Sequence, residues 1–150
     1  LGFAEMFLNG INVEQEIRTL EVSQNVSRVA EISEVRAKLV QQQQEMGRDK
    51  GVVMDGRDIG TVVFPNAELK IFMTASAETR AERRFSELIE KGQHVTFDDV
   101  LENVQQRDYI DTHRDDSPLV QAKDAIIVDN STLSKEEQFN LVLNLVNQYL

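Results

Sequence analysis

Two carboxylates and a guanidinium crowd one glycine-bounded turn, Asp55-Gly56-Arg57-Asp58-Ile59-Gly60. A carboxylate accepts from amines and hydroxyls, whereas a guanidinium offers a planar fork of donors that matches a phosphate. Alone, the turn reads better as an ordinary polar connection in which Arg57 neutralises Asp55 or Asp58. A second cluster is Arg107-Asp108-x-x-Asp111-x-x-Arg114. At about 100° per residue, Arg107, Asp111 and Arg114 fall within a narrow sector of a helix, so the set can hold a phosphate and a sugar hydroxyl together. The alternative is an exposed ion-pair ladder, worth only ~0.2–0.5 kcal/mol per pair. A third cluster, Arg80-x-x-Arg83-Arg84, is interleaved with Glu78, Glu82 and Glu87 and reads by default as a solvated face.

Composition narrows the partners. The net charge of −10 argues against a groove for a nucleic-acid polymer. Ten of the sixteen cations are arginine, and several of them sit beside aspartate, which suits a small anion better. With no cysteine there is no disulfide framework and no thiolate chemistry, as expected of a cytoplasmic protein. His94 and His113 are too far apart to suggest zinc, and no metal ligand is assigned. No run approaches the ~20 apolar residues of a membrane span, and the N-terminus lacks a basic region followed by an apolar block. A chain of 150 residues with 41% hydrophobic content is expected to bury one core.

The elements that must position these residues follow from pattern. Met6-Phe7-Leu8 and the Asn9-Gly10 turn suggest a hairpin. Val22, Val26 and Val29 place a helix over 16–30, and after a break at 31–33 Val35, Leu39 and Val40 carry a second. The Gln41–Gln44 run reads as a solvated helix face, and 47–50 as a turn. Val52-Val53-Met54, Leu69–Met73 and Ala125–Val128 read as buried strands. Apolar residues resume at Val62-Val63-Phe64 and stop at Pro65. Ser76 and Gly92 bound a helix over 77–90. Thr96 with Asp99, and Ser134 with Glu137, form capping boxes for helices from Phe97 to about Asp111 and from Ser134 onward, the last with an apolar stripe of Phe139, Val142, Leu143 and Val146. Strands alternating with helices predict an α/β fold with a parallel sheet.

The stretch DGRDIGTVVFP, with T-A-S-A-E-x-R-A-x-R-R, R-D-x-x-D-x-x-R and the upstream E-I-R-T-x-E-V, V-S-x-V-A and E-V-R, resembles the bacterial cytidylate kinase family. The likeness runs nearly from Glu5 to the last helix. It implies a P-loop nucleoside-monophosphate-kinase fold, three layers α/β/α with a parallel sheet of order 2-3-1-4-5. Residues 1–46 would be part of the nucleoside-monophosphate-binding insert and 47–150 the core, with a lid over about 80–115. The implied reaction transfers the γ-phosphoryl of ATP, with Mg²⁺, to CMP or dCMP, in a protein that is a monomer at full length. Alternatives are a UMP/CMP-type or shikimate-type P-loop kinase, or a non-catalytic nucleotide-binding module.

Residue by residue, the resemblance puts Ser27, Arg36 and Asp58 on cytosine, where the carboxylate takes the amine at N4 and Arg36 supplies donors. Arg57 and Arg114 would hold the monophosphate, Arg107 and Asp111 would lie near the sugar, and Arg83 and Arg84 would be lid cations toward the ATP phosphates. Asp55 would orient a Mg²⁺ water. The family's G-x-x-x-x-G-K-[ST] is absent from these residues. The P-loop and first strands are therefore expected upstream of Leu1, and this chain alone is expected to bind ATP poorly and to be inactive. Ser33 and Gln42 stand where the family more often has proline and arginine, and are expected away from the site.

Overall fold

A computed structural model describes residues 5–149. The chain opens with the expected hairpin: β1 (Phe7–Leu8) pairs antiparallel with β2 (Ile11–Asn12), Phe7 facing Asn12 and Leu8 facing Ile11. Asn9 and Gly10 take φ of 51° and 81°, left-handed values whose twist matches that of the strands.

A short 3₁₀ turn, Glu16–Arg18, leads to Thr19, whose side chain accepts from the Val22 amide and starts α1 (Leu20–Ala30). The valine stripe does not mark the buried face. Ser23 and Ser27 are buried, whereas Val22, Val26 and Val29 remain 39–49% exposed. The polar side wins because α1 docks through hydrogen bonds on the helix that carries Asn103, with Ser23 Oγ donating to Asn103 Oδ1 at 2.9 Å. Periodicity identifies a face but not what it meets. After the break, α2 (Ser33–Met46) ends at Gly47. A Cβ at Gly47 would lie 2.3 Å from the Phe64 ring, so this close approach requires glycine. Within the glutamine run, Gln44 Nε2 donates to the Val63 carbonyl at 3.3 Å.

Val52-Val53-Met54 is the clearest correction. It is neither a paired strand nor buried: among the described residues no strand lies beside it, and Val53 is 99% exposed. A strand needs a partner that a short apolar run does not encode. Beyond the Asp55 turn the chain forms one π-helical turn, Ile59–Val63.

The parallel sheet is present as two strands. β3 (Ile71–Thr74) pairs with β4 (Ile126–Asp129), Ile71 facing Ile126 and Thr74 facing Asp129. Between them lie α3 (Ala77–Glu90) and α4 (Phe97–His113), and α5 (Lys135–Val146) follows β4. Their starts are fixed locally. Ser76 accepts from the Thr79 amide, and both capping boxes close, with Thr96 Oγ1 accepting from Asp99 N at 3.1 Å and Ser134 Oγ from Glu137 N at 3.2 Å. Gly92 follows α3 at φ 74°. The α3–α4 hairpin holds the buried core, Ala81, Leu88 and Val100, with Phe85 edge-on to Phe97 at 6.1 Å. Arg80 forks onto both oxygens of Asp108 at 2.8 and 2.6 Å across the hairpin, so that cation is not simply solvated. The expected stripe on α5 is open, with Phe139 64% and Leu143 42% exposed.

Candidate functional site

Four segments bring their polar side chains to one place. The turn after Met54 is anchored through its backbone: the Asp58 carbonyl accepts from Val62 N at 2.8 Å and from Val63 N at 3.2 Å. Gly56 lets it close, since a Cβ there would stand 2.9 Å from the Ile59 side chain. Asp58 is thereby held 4% exposed. From α2, Arg36 reaches it, Nη2 to Oδ2 at 2.6 Å. From α1, Ser27 is buried alongside.

The end of α4 supplies the rest. Asp111 is buried and shared: Arg57 Nε donates to Oδ2 at 2.9 Å, and Arg114 Nη1 approaches Oδ1 at 3.4 Å. Arg114 sits at the C-cap of α4, where the helix dipole favours a cation. Its Nε and Nη2 donate to the Ser117 carbonyl at 2.9 and 2.6 Å. With Asp111 and Arg114 2% and 6% exposed, the exposed ion-pair ladder is excluded for this pair.

Ser27, Arg36, Arg57 and Asp58 all line a single cavity of about 280 Å³, together with Arg107, Asp111 and Arg114. Leu39, Val40, Met46 and Ile59 give it an apolar wall. Gln42 lines it too, which corrects the expectation that it lies apart: the last turns of α2 face the cavity. Ser33 is elsewhere, hydrogen-bonded to Asp116.

The electrostatics are unbalanced. Four guanidiniums face two carboxylates, an excess of two positive charges. Burial first, and then the neighbouring Arg57, holds the Arg107 pKa below its ordinary value; burial and then Arg36 do the same to Arg114. Arginine keeps its proton in proteins, so the repulsion persists until an anion enters. Three buried polar atoms here also lack a hydrogen-bond partner: Arg36 Nε, Asp58 Oδ2 and Arg107 Nε. Arg36 and Asp58 touch as charges, but their alignment leaves Oδ2 without a directed N–H. Unsatisfied buried groups are costly, and a ligand that filled them would relieve that cost.

Arg83 and Arg84 lie outside this cavity. Arg83 Nη2 donates to the Asn130 carbonyl at 2.6 Å, and Nη1 to the Asn130 side chain at 3.1 Å. Arg84 Nη2 donates to the Arg18 carbonyl at 2.7 Å. Both are occupied by backbone. The buried polar pair Ser23 and Asn103 was missed by sequence reasoning; the available signal was that each stands four residues before a proposed site residue, Ser27 and Arg107.

An α/β chain that gathers cations and an apolar wall around one small cavity has the make-up of a small-molecule pocket. The family model for cytidylate kinase matches residues 1–148, and the chain belongs to that family. It is 75% identical over 147 residues to the cytidylate kinase of Flavobacterium johnsoniae, across 98% of this chain and 64% of that relative. It is 70% identical to that of Flavobacterium psychrophilum across 98% of the chain and 65% of the relative, and 59% identical to that of Bacteroides thetaiotaomicron across 91% and 60%. The chain thus spans a little under two thirds of the length of these curated relatives.

Proposed function

We propose that this chain carries the acceptor half of a kinase that moves the γ-phosphoryl group of ATP onto CMP or dCMP, giving CDP or dCDP, in the cytoplasm. The observation that carries the reading is the Arg36–Asp58 pair, with one unsatisfied donor and one unsatisfied acceptor, in a cavity with two surplus positive charges. Cytosine presents an amine donor at N4 beside an acceptor at N3, the complement of that pair. Uracil carries an oxygen in place of the amine and would set acceptor against acceptor at Asp58.

In this reading Ser27, Arg36 and Asp58 hold the base, Arg57 and Arg114 grip the monophosphate, and Arg107 with Asp111 contacts the sugar. The phosphate monoester brings about two negative charges, matching the surplus. Phosphoryl transfer then depends on positioning and charge neutralisation more than on covalent chemistry. Arg57 and the buried Arg114 fix the attacking ester, and their charge offsets the negative charge brought together at the reacting groups.

Residues 1–46 act as the monophosphate-binding insert and 47–150 as core and lid of a three-layer P-loop kinase whose donor site lies beyond these residues. Among the described residues no three carboxylates or histidines gather as a ready-made metal cluster. For Arg83 and Arg84 to face ATP they must first release their carbonyl partners.

Calorimetric titration of the chain with CMP, dCMP, UMP and AMP tests the reading. CMP or dCMP should bind tightest; UMP binding as tight as CMP would overturn the role given to Asp58. An in-frame G-x-x-x-x-G-K-[ST] in the encoding DNA upstream of Leu1 would favour the kinase over a non-catalytic binder.

A further inference from the structure

Buried polar groups outside the proposed substrate contacts form a hydrogen-bond chain leading to one of them. Arg107 Nη1 donates to Ser23 Oγ at 2.9 Å, and Ser23 Oγ in turn donates to Asn103 Oδ1 at 2.9 Å. Ser23 and Asn103 are 8% and 6% exposed. Asn103 stands one helical turn before Arg107 on α4, and Ser23 one turn before Ser27 on α1, so the chain crosses the α1–α4 interface. A hydroxyl has one proton to give. Spent on Asn103, it leaves the Ser23 oxygen to face Arg107 as an acceptor only. Asn103 thereby sets the polarity of Ser23, and Ser23 sets the position of the guanidinium. Apolar side chains would fill this interface without the desolvation cost of a buried amide and hydroxyl, and the Nδ2 of Asn103 is itself left unpartnered. The same guanidinium lines the acceptor cavity and keeps Nε buried without a partner.

We infer that Ser23 and Asn103 are positioning residues that clamp one edge of the Arg107 guanidinium and so keep its remaining donors directed to the acceptor nucleotide. This rests on the nucleotide reading of the cavity. It also couples the two halves of the site, because Ser27 and the clamp share α1 while Arg107 and Asp111 share α4.

Two readouts on the 150-residue chain decide it. Nitrogen NMR of arginine side chains should show hindered rotation of the Arg107 guanidinium, identified by loss of its signals in Arg107→Lys. Ser23→Ala should release that rotation, while Ser23→Thr, which keeps the hydroxyl, should preserve it. In titrations with CMP, Ser23→Ala should weaken binding about tenfold, as expected for losing a hydrogen bond to a charged group. Asn103→Ala should weaken it less, Ser23→Thr should bind within about twofold of the unaltered chain, and Ser23→Ala should add nothing in the Arg107→Lys background. An Arg107 rotation unaffected by Ser23→Ala overturns the clamp whether or not CMP binds. A released guanidinium with unchanged CMP affinity overturns its bearing on the site. If the unaltered chain fails to bind CMP while its rotation is hindered, the nucleotide reading and the purpose given to the clamp both fall, though the clamp itself would stand. Thermal unfolding of each variant separates these results from simple loss of fold.

Discussion

Asp58 and Arg57 are neighbours with different physical situations, and their substitutions should separate. Asp58 and Arg36 are 5% and 11% exposed at the side chain, so Asp58→Ala strands a buried cation. The expected loss is about 3 kcal/mol of unfolding free energy, read by denaturant titration, together with loss of any preference for CMP over UMP. Asp58→Asn keeps the shape and should show the change in selectivity at smaller structural cost. Arg57 is 41% exposed and Asp111 retains Arg114. Arg57→Ala should therefore cost less than about 1 kcal/mol in stability while weakening CMP and UMP alike. Equal effects of the Asp58 and Arg57 substitutions on both nucleotides would refute this division. Arg107, Asp111 and Arg114 were legible as a set from helical spacing, whereas Ser27 and Arg36 became candidates only through a family pattern. Nothing in spacing joins Ser27 and Arg36 to Asp58, because proximity across three segments is a property of the folded chain.

Helix starts behave differently because their cause is local. Ser76, Thr96 and Ser134 were legible as caps, and each accepts from an amide three residues on. Their energetic weight should depend on what the helix carries. Thr96→Ala removes the cap of α4, which holds Val100 of the core, and should lower global stability by about 1 kcal/mol. Ser134→Ala removes an equivalent cap from α5, which has no buried residue. Hydrogen exchange there should speed up in the first turn of α5 alone, with the global transition nearly unmoved. The illegible elements were those settled by partners. Val52–Met54 needs a neighbouring strand, and α1 turned its serines inward because Asn103 and Arg107 stood opposite.

Across the whole molecule a strongly acidic chain surrounds a cationic cavity. A monophosphate should stabilise the fold, by about 2.7 kcal/mol at a hundredfold excess over its dissociation constant, and added salt should erode its binding. Thermal shift with CMP against cytidine at two ionic strengths checks both; an equal shift from cytidine would contradict the anion site. Acid should act through the carboxylates. Hydrogen bonds hold Glu87, Asp129 and Glu137 below their ordinary values, from Lys91, the Ser131 side chain and the Ser134 amide respectively. Depressed values mean that the unfolded chain takes up protons first. The stabilisation is complete above about pH 4–5 and is lost as pH falls through the lowered values, which a series of melts from pH 6 to about 3 should trace.

Arg83 ties the middle of α3 to the carbonyls that follow β4. Its fork donates to the Asn130 and Ser131 carbonyl oxygens and to the Asn130 side-chain oxygen, so the helical hairpin and the turn leading into α5 are buttoned together. A swing of that hairpin cannot be a free pivot at its two loops; it must either drag the C-terminal helix along or first undo the button.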